Sequence, residues 1–161
     1  MDFLTYTCPR ELETVTGKAA AVWNEVMRDL VHIRKWQPLP LGITKTAWPL
    51  QADVVIEWSL KVRSAMHPDR VAVCQRIAPS RWLIRLDESR KWAVSTWARW
   101  IGNGEDALAC LVHEFGHVFQ LPHADDPFYV MHPQIGGNGK LSKQEKKLYR
   151  EWFLNLLENE Q

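Results

Sequence analysis

The segment from Leu111 to His123 constrains this chain more than any other. It reads Leu-Val-His-Glu-Phe-Gly-His-Val-Phe-Gln-Leu-Pro-His and contains three histidines, His113, His117 and His123. In a helix that turns about 100° per residue, His113 and His117 lie roughly 40° apart on one face. The pattern therefore predicts an amphipathic helix that presents two imidazoles on one side, with Glu114 beside them.

The other side of this helix carries apolar residues, which predicts that it packs into the core. These residues are Leu108, Leu111, Val112, Phe115 and Phe119. His123 can approach a metal from a third direction only if the chain leaves the helix first. Pro122 lacks an amide hydrogen and disfavours helix at the residue before it, so the exit is expected at Leu121–Pro122.

Three imidazoles and a neighbouring carboxylate are the components of a hydrolytic zinc site. Three protein ligands leave one coordination position for water, and zinc lowers the pKa of that water to about 7. Glu114 is the candidate general base, which takes a proton from the water and passes it to the leaving amine. An H-E-x-x-H pattern alone also arises by chance in helices, and the third histidine is what strengthens the interpretation.

A second segment, Val130-Met131-His132-Pro133, follows the third histidine. Together the two segments resemble the metzincin zinc metalloproteases, most closely the matrixin branch. That family carries H-E-x-x-H-x-x-G-x-x-H followed by a Met-turn, and the residues that match it are His113, Glu114, His117, His123 and Met131. The resemblance implies zinc-dependent hydrolysis of peptide bonds, with Met131 as an apolar floor under the metal.

Two positions depart from the family's pattern. Gln120 replaces the glycine at the helix exit, and because a left-handed exit is costly for glutamine, the turn is expected to be built differently. His132 replaces the tyrosine after the methionine and is either a pocket residue or a hydrogen-bond donor to the transition state. Pro133 is expected to begin the wall of the pocket that receives the side chain after the scissile bond.

The chain as a whole predicts a single α+β, metzincin-like domain over residues 1–161, with a twisted mixed sheet of four to five strands. Strands or short extended pieces are predicted at residues 3–7, 31–36, 42–46, 52–58, 71–77 and 81–87. Helices are predicted over residues 11–30, about 105–120 (the active-site helix) and about 142–158, with the Met-turn at about 129–133. Ser142 and Glu145 have the spacing of a capping box that opens the last helix.

The strand at 71–77 resembles the matrixin edge strand above the zinc. The resemblance implies that a protein or peptide substrate binds there in extended form, as an added strand. The residues expected to contact the substrate on this strand are Val73, Cys74 and Gln75.

Matrixins also hold a structural zinc and calcium. His67 and Asp69 match the first two ligands of that second zinc, but Gln75 and Arg85 occupy strand positions where the family has histidine. The acidic calcium-binding run is reduced to Asp87-Glu88. One catalytic Zn²⁺ is therefore predicted, without a second zinc or structural calcium.

Composition argues against several other classes of function. The net charge is +1, which gives no electrostatic basis for binding nucleic acid or an anionic membrane. The start of the chain lacks the basic and apolar parts of a signal peptide, and no apolar run is long enough to span a membrane. Three cysteines, Cys8, Cys74 and Cys110, are an odd number and do not make a disulfide framework. These features predict a cytoplasmic protein.

Two alternatives to a zinc endopeptidase stay open at this point. The third ligand could be a downstream glutamate, for which Glu145 is the candidate, although His123 has the better spacing. The chain could also be a catalytically weak or inactive zinc-containing module that grips an extended peptide, since Gln120 and His132 both depart from the family's pattern. The sequence does not predict the cleavage specificity or the oligomeric state.

Overall fold

The computed structural model describes residues 4–31, 42–63, 67–95, 97–98, 101–102, 104–134 and 139–159. Five strands form its main sheet: β1 (Leu4–Thr7), β2 (Ile43–Lys45), β3 (Val54–Ser59), β4 (Ala72–Ala78) and β5 (Arg81–Asp87). Their order is β2-β1-β3-β5-β4. All neighbours are parallel except β4, which runs antiparallel to β5. The predicted α+β class with a mixed sheet of four to five strands is confirmed.

Strand β4 forms one edge of this sheet. Its pairing with β5 is regular from Ala72 to Arg76 and becomes irregular between Arg76 and Ala78. Gln75 and the residues that follow it on the strand are exposed. The first half of β4 is therefore the regular part of this edge.

Three α-helices accompany the sheet: α1 (Glu13–Val31), α2 (Ala107–Val118) and α3 (Lys143–Asn159). A 3₁₀ turn at Arg10–Leu12 precedes α1, so the long helix begins two residues later than predicted. Within the described ranges, no helix has both the length and the apolar character of a membrane span.

Helices α1 and α2 pack against each other in the core. Trp23 of α1 is fully buried, and its indole N–H donates to the backbone carbonyl of Val112, 2.8 Å away. A buried indole N–H requires such a partner, and the bond ties α2 to α1. Phe115 of α2 is also fully buried and stacks at a tilt against Tyr6 of β1, so the same helix contacts the sheet.

The strand predicted at residues 31–36 is wrong at its first residue, because Val31 ends α1. Residues 32–36 lie outside the described part of the chain. The apolar spacing of α1 continues through Met27 and Leu30, which are both buried. Adding one residue to a formed helix costs less free energy than starting a strand. The alternating pattern that predicted a strand at residues 31–36 therefore did not determine the structure at Val31.

A small parallel ladder, which the sequence analysis did not predict, precedes α2. It pairs β6 (Trp92–Ala93) with β7 (Glu105–Asp106). Gly104 directly precedes β7 with φ +110°, and a Cβ there would lie 2.4 Å from the Lys91 carbonyl oxygen. Only glycine permits this approach of the two backbones.

Candidate metal centre and active site

The first residues of α2 are held by Asp106. Its Oδ1 accepts hydrogen bonds from the backbone N–H groups of Leu108, at 2.9 Å, and Ala109, at 3.1 Å. An N-cap of this kind stabilises a helix by about 1 kcal/mol. Asp106 is therefore the N-cap of this helix. From this cap onward nearly the whole helix is buried, including His113 and Glu114.

The three histidines that the sequence singled out come together at one point. Nε2 of His117 lies 3.1 Å from Nε2 of His113 and 3.1 Å from Nε2 of His123. A tetrahedral zinc ion with Zn–N bonds of about 2.0–2.1 Å separates its ligand nitrogens by roughly 3.3 Å. The three imidazoles therefore fit a zinc ion, and they form the cluster of the described residues that could hold a metal.

Backbone carbonyls orient two of the three rings. Nδ1 of His113 donates to the Val130 carbonyl, 2.7 Å away, and Nδ1 of His117 donates to the Leu121 carbonyl, 3.0 Å away. Because a carbonyl oxygen can only accept, the proton of each neutral ring lies on Nδ1. The lone pairs of both Nε2 atoms are therefore directed to the centre of the cluster, as metal binding requires.

Burial keeps these rings neutral. It lowers the pKa of His113 to about 4, against the smaller opposite effect of the Val130 carbonyl. Burial also lowers the pKa of His117. Since only a neutral imidazole binds a metal ion, both rings are in the binding form at neutral pH.

The exit from α2 corrects one expectation. The helix ends at Val118, and Gln120 adopts φ +65°, so the left-handed exit is kept although the residue is not glycine. The amide of Gln120 donates to the His117 carbonyl at 2.9 Å, and that of Leu121 donates to the Gly116 carbonyl at 3.0 Å. These are the two bonds of a Schellman motif, and together with the burial of Leu121 they offset the strain at Gln120. The exit also comes before Leu121–Pro122, where it was expected.

The turn at residues 129–133 packs against the same helix. Met131 is fully buried, and its sulfur lies so close to Gly116 that a Cβ on that glycine would be 2.2 Å away. The amide of His132 donates to the Tyr129 carbonyl at 3.1 Å, which closes the turn. Gly116 directly precedes His117, so the turn contacts α2 between its two histidines.

Glu145 of α3 holds this turn in place. It forms the predicted capping box with Ser142: its amide donates to the Ser142 hydroxyl at 3.1 Å, and its Oε2 accepts from the Ser142 amide at 2.8 Å. Its Oε1 accepts from the Val130 amide at 2.6 Å. Both oxygens are thus used away from the histidine cluster, and Glu145 does not belong to that cluster.

Glu114 is buried on the same stretch of α2, with 4% of its surface exposed. Burial raises the pKa of Glu114 to about 8, while the Arg70 guanidinium and a hydrogen bond from the Cys74 amide act in the opposite direction. No described residue donates a hydrogen bond to its Oε2. A buried carboxylate oxygen without a partner is costly and is typical of a site that handles a ligand or a proton.

An open cavity of about 800 Å³ joins these groups. Its walls include the three histidines and Glu114, and three of the five residues predicted to bind substrate, namely Val73, Cys74 and Pro133. The other two, Gln75 and His132, do not line it. Gln75 is exposed on β4, and the His132 ring contacts the backbone of Gln134 at 3.2 Å.

Sequence reasoning missed other residues of the cavity wall. Arg70, Trp92 and Glu105 all line it. Arg70 stands directly before the predicted edge strand, which is the one local signal that could have pointed to it. Trp92 and Glu105 arrive through the unpredicted β6–β7 ladder, for which the sequence has no comparable signal.

The sequence analysis predicts neither a second zinc nor a structural calcium ion, and both of these stay predictions. Nε of Arg85, at a position where the family has histidine, lies 2.9 Å from Oε1 of Glu57. Asp87, from the reduced acidic run, is buried and accepts from Nε of Arg63 at 2.6 Å. Both side chains thus form ion pairs within the protein.

An antiparallel edge strand lies beside a buried helix, and two histidines of that helix meet a third from beyond its exit. This arrangement defines a candidate metallohydrolase. A family model of the matrixins matches residues 5–150. Because the match spans most of the 161 residues, the chain belongs to the matrixin family, which is a family of zinc metallopeptidases. A comparison with curated proteins found no significant match.

Proposed function

We propose that this chain is a zinc-dependent endopeptidase in which Glu114 is the general base. The observation that carries the proposal is the convergence of three imidazoles on the wall of the cavity that also contains Glu114. Nε2 of His113 and Nε2 of His123 each lie 3.1 Å from Nε2 of His117. This juxtaposition joins a metal-binding cluster to a proton acceptor in a space that a peptide can enter.

The ion would be held by His113, His117 and His123. When bound, zinc supplies Lewis acidity toward a peptide carbonyl and makes water more acidic. Met131, buried against Gly116, would form the apolar floor beneath the cluster. The carbonyls of Val130 and Leu121 would keep the two helix imidazoles in the required tautomer, since outer contacts of this kind fix ligand orientation.

Glu114 would move the proton. Its free Oε2 can accept a proton from the attacking water and then donate it to the leaving amine. The raised pKa suits the second role, because a carboxyl with a pKa near neutrality both accepts and returns a proton. A positive charge in the histidine cluster would lower this pKa and favour the ionised form that the first role needs.

A substrate would bind as an extended strand along the outer edge of β4. Among the described residues, β4 pairs with β5 alone, which leaves the other edge of β4 for a peptide. Backbone pairing with Val73, Cys74 and Gln75 would give affinity with little sequence preference. Pro133 would form the opposite wall, and His132 would shape that wall through its contact with Gln134.

The test compares wild type with Glu114→Gln for bound zinc and for cleavage of a mixed peptide library. Both proteins should bind one zinc, and only wild type should cleave, because loss of a general base typically lowers the rate about 10²- to 10⁴-fold. Glu88→Gln removes an exposed carboxylate and should cleave like wild type. Equal cleavage by Glu114→Gln would overturn the role of Glu114.

Two further outcomes separate the alternatives. Wild type that binds zinc and cleaves no peptide would support the non-catalytic binding module. The metal site itself is tested with His123→Ala, which should bind zinc far more weakly than wild type. Unchanged zinc affinity in that variant would show that His123 is not the third ligand.

A further inference from the structure

We propose that Arg70 is a specificity-determining residue that binds a carboxylate of the substrate. The inference rests on the proposed peptidase function and adds a substrate preference to it. It starts from the position of Arg70 on the wall of the cavity, two residues before β4 begins.

Arg70 lies close to the reacting groups. Arg70 and Glu114 line the same cavity. Glu114 in turn accepts a hydrogen bond from the amide of Cys74, four residues after Arg70. At about 3.3 Å per residue in a strand, Arg70 lies within roughly 13 Å of Cys74 along the chain. A peptide paired with β4 would therefore bring a residue within about four positions of its scissile bond to Arg70.

The surroundings of the Arg70 guanidinium differ from those of three other arginines. Arg63, Arg85 and Arg90 each form an ion pair with a carboxylate of the protein. For Arg70, in contrast, no hydrogen bond or ion pair of the side chain is found with any residue that the structure describes. Arg70 is exposed and lines the cavity, so its donors are available to a ligand.

Four carboxylates share the cavity wall: Asp69, Glu105, Asp106 and Glu114. Glu105 lies 3.4 Å from Nη1 of Arg90, and Asp106 caps helix α2. Arg70 is the one arginine or lysine among the described residues that line the cavity. It is therefore the group of this wall that can pair with a ligand of negative charge.

The chemistry of the guanidinium indicates the ligand. Arginine binds a carboxylate through two parallel N–H···O hydrogen bonds, which gives both strength and geometric selectivity. In a peptide, such a carboxylate is supplied either by an aspartate or glutamate side chain or by the free C-terminus. Both sources present the same group to Arg70.

The experiment uses variants of one neutral peptide that wild type cleaves. Glu, Gln or Lys is placed in turn at each of the four positions on either side of the scissile bond, and kcat/KM is measured. A second set ends at these positions with a free or an amidated C-terminus. The enzymes are wild type, Arg70→Gln and Arg28→Gln, which removes an exposed charge that does not line the cavity.

Wild type should prefer Glu over Gln at one position by roughly tenfold, as expected for a charge-assisted hydrogen bond in a partly solvated site. Arg70→Gln should lose this preference, measured as the ratio of kcat/KM for the Glu and Gln peptides, while Arg28→Gln should keep it. Wild type could instead cleave the peptide with a free C-terminus faster than the amidated one. If Arg70→Gln loses that difference, the C-terminus is the source of the bound carboxylate.

Three results would overturn the inference. The first is that wild type cleaves the Glu and Gln peptides at equal rates and also does not distinguish the free from the amidated C-terminus. The second is a preference of wild type for the Lys peptide, and the third is a preference for the carboxylate that survives in Arg70→Gln. Cleavage of the neutral peptide tests the peptidase function separately. If no peptide is cleaved, the proposed function fails, and Kd of the same peptides for zinc-loaded wild type and Arg70→Gln then decides on Arg70. Equal Kd values for both proteins would refute the role of Arg70 in binding the carboxylate.

Discussion

Nδ1 of His117 donates a hydrogen bond to the carbonyl of Leu121, 3.0 Å away, across the left-handed turn at Gln120. The turn reverses the chain so that a carbonyl beyond the helix faces a histidine of its last turn. One local backbone conformation therefore does two things: it orients His117 and it directs the chain toward His123.

Replacing Gln120 by glycine should stabilise the protein. Glycine adopts φ +65° without the penalty of roughly 1–2 kcal/mol that other residues meet there, although it gains more freedom in the unfolded chain. We expect a net increase of about 0.5–1 kcal/mol in the free energy of unfolding, measured by urea denaturation. Gln120→Val should be destabilising, because a β-branched residue is least tolerated in this region. A less stable glycine variant would contradict the interpretation of the turn.

Glu145 should affect zinc affinity through Val130. Glu145→Ala removes the acceptor for the Val130 amide, and the carbonyl of that residue orients His113. Loss of such an outer contact typically lowers metal affinity 10- to 100-fold, so competition with a chelator should show a shift in this range.

Ser142→Ala is the matched control for that experiment. It removes the hydroxyl of the capping box but leaves the contact between Glu145 and Val130. This variant should lose about 1 kcal/mol of stability and keep its zinc affinity. If both variants lost zinc affinity equally, the effect would come from the helix cap and not from the turn.

Gly116 and Met131 should be energetically coupled. An alanine at 116 would place its Cβ 2.2 Å from the sulfur of buried Met131, so Gly116→Ala should destabilise the protein by about 1–3 kcal/mol. Met131→Ala provides the missing space, so the double variant should be more stable than the sum of the single changes predicts. A double-mutant cycle of thermal or urea unfolding measures this coupling, and additive effects would show that the two side chains do not compete for space.

The stability of the metal-free protein should depend on pH through Glu114. Burial raises the pKa of this carboxyl from 4.5 to about 8, so the folded state retains its proton over a range in which the unfolded chain has lost it. The resulting stabilisation is complete below the unfolded pKa and is lost as the pH rises through about 8. Between about pH 5 and pH 9, wild type should therefore lose more free energy of unfolding than Glu114→Gln, measured in a chelator. Parallel pH profiles would rule out a raised pKa.

Local patterns predicted the centre of the site well. The spacing of His113 and His117, the apolar face of α2 and the capping box of Ser142 and Glu145 all depend on residues within a few positions of one another, and the structure has each of these features. The resemblance to matrixins supplied the class of fold, which no short pattern could have determined.

Long-range contacts explain what was missed. The β6–β7 ladder joins residues 92–93 to residues 105–106 through a glycine that allows close approach, and neither segment is long enough to show an alternating pattern. Arg70 lines the cavity only because the fold places β4 beside α2. At Gln120, propensity argued correctly that the conformation is costly, but the hydrogen bonds and packing of the turn outweigh that cost.

The irregular pairing of β4 after Arg76 has a consequence for association between copies of the protein. An open sheet edge invites edge-to-edge aggregation, and bulges and charged residues are common defences against it. Here the irregularity lies beside exposed Arg76, whose guanidinium stacks over Trp82. The far half of the edge is thus a poor template for another strand, which confines regular pairing to the short stretch next to the cavity. A short peptide could then pair there, while a second copy of the sheet could not dock along the full edge.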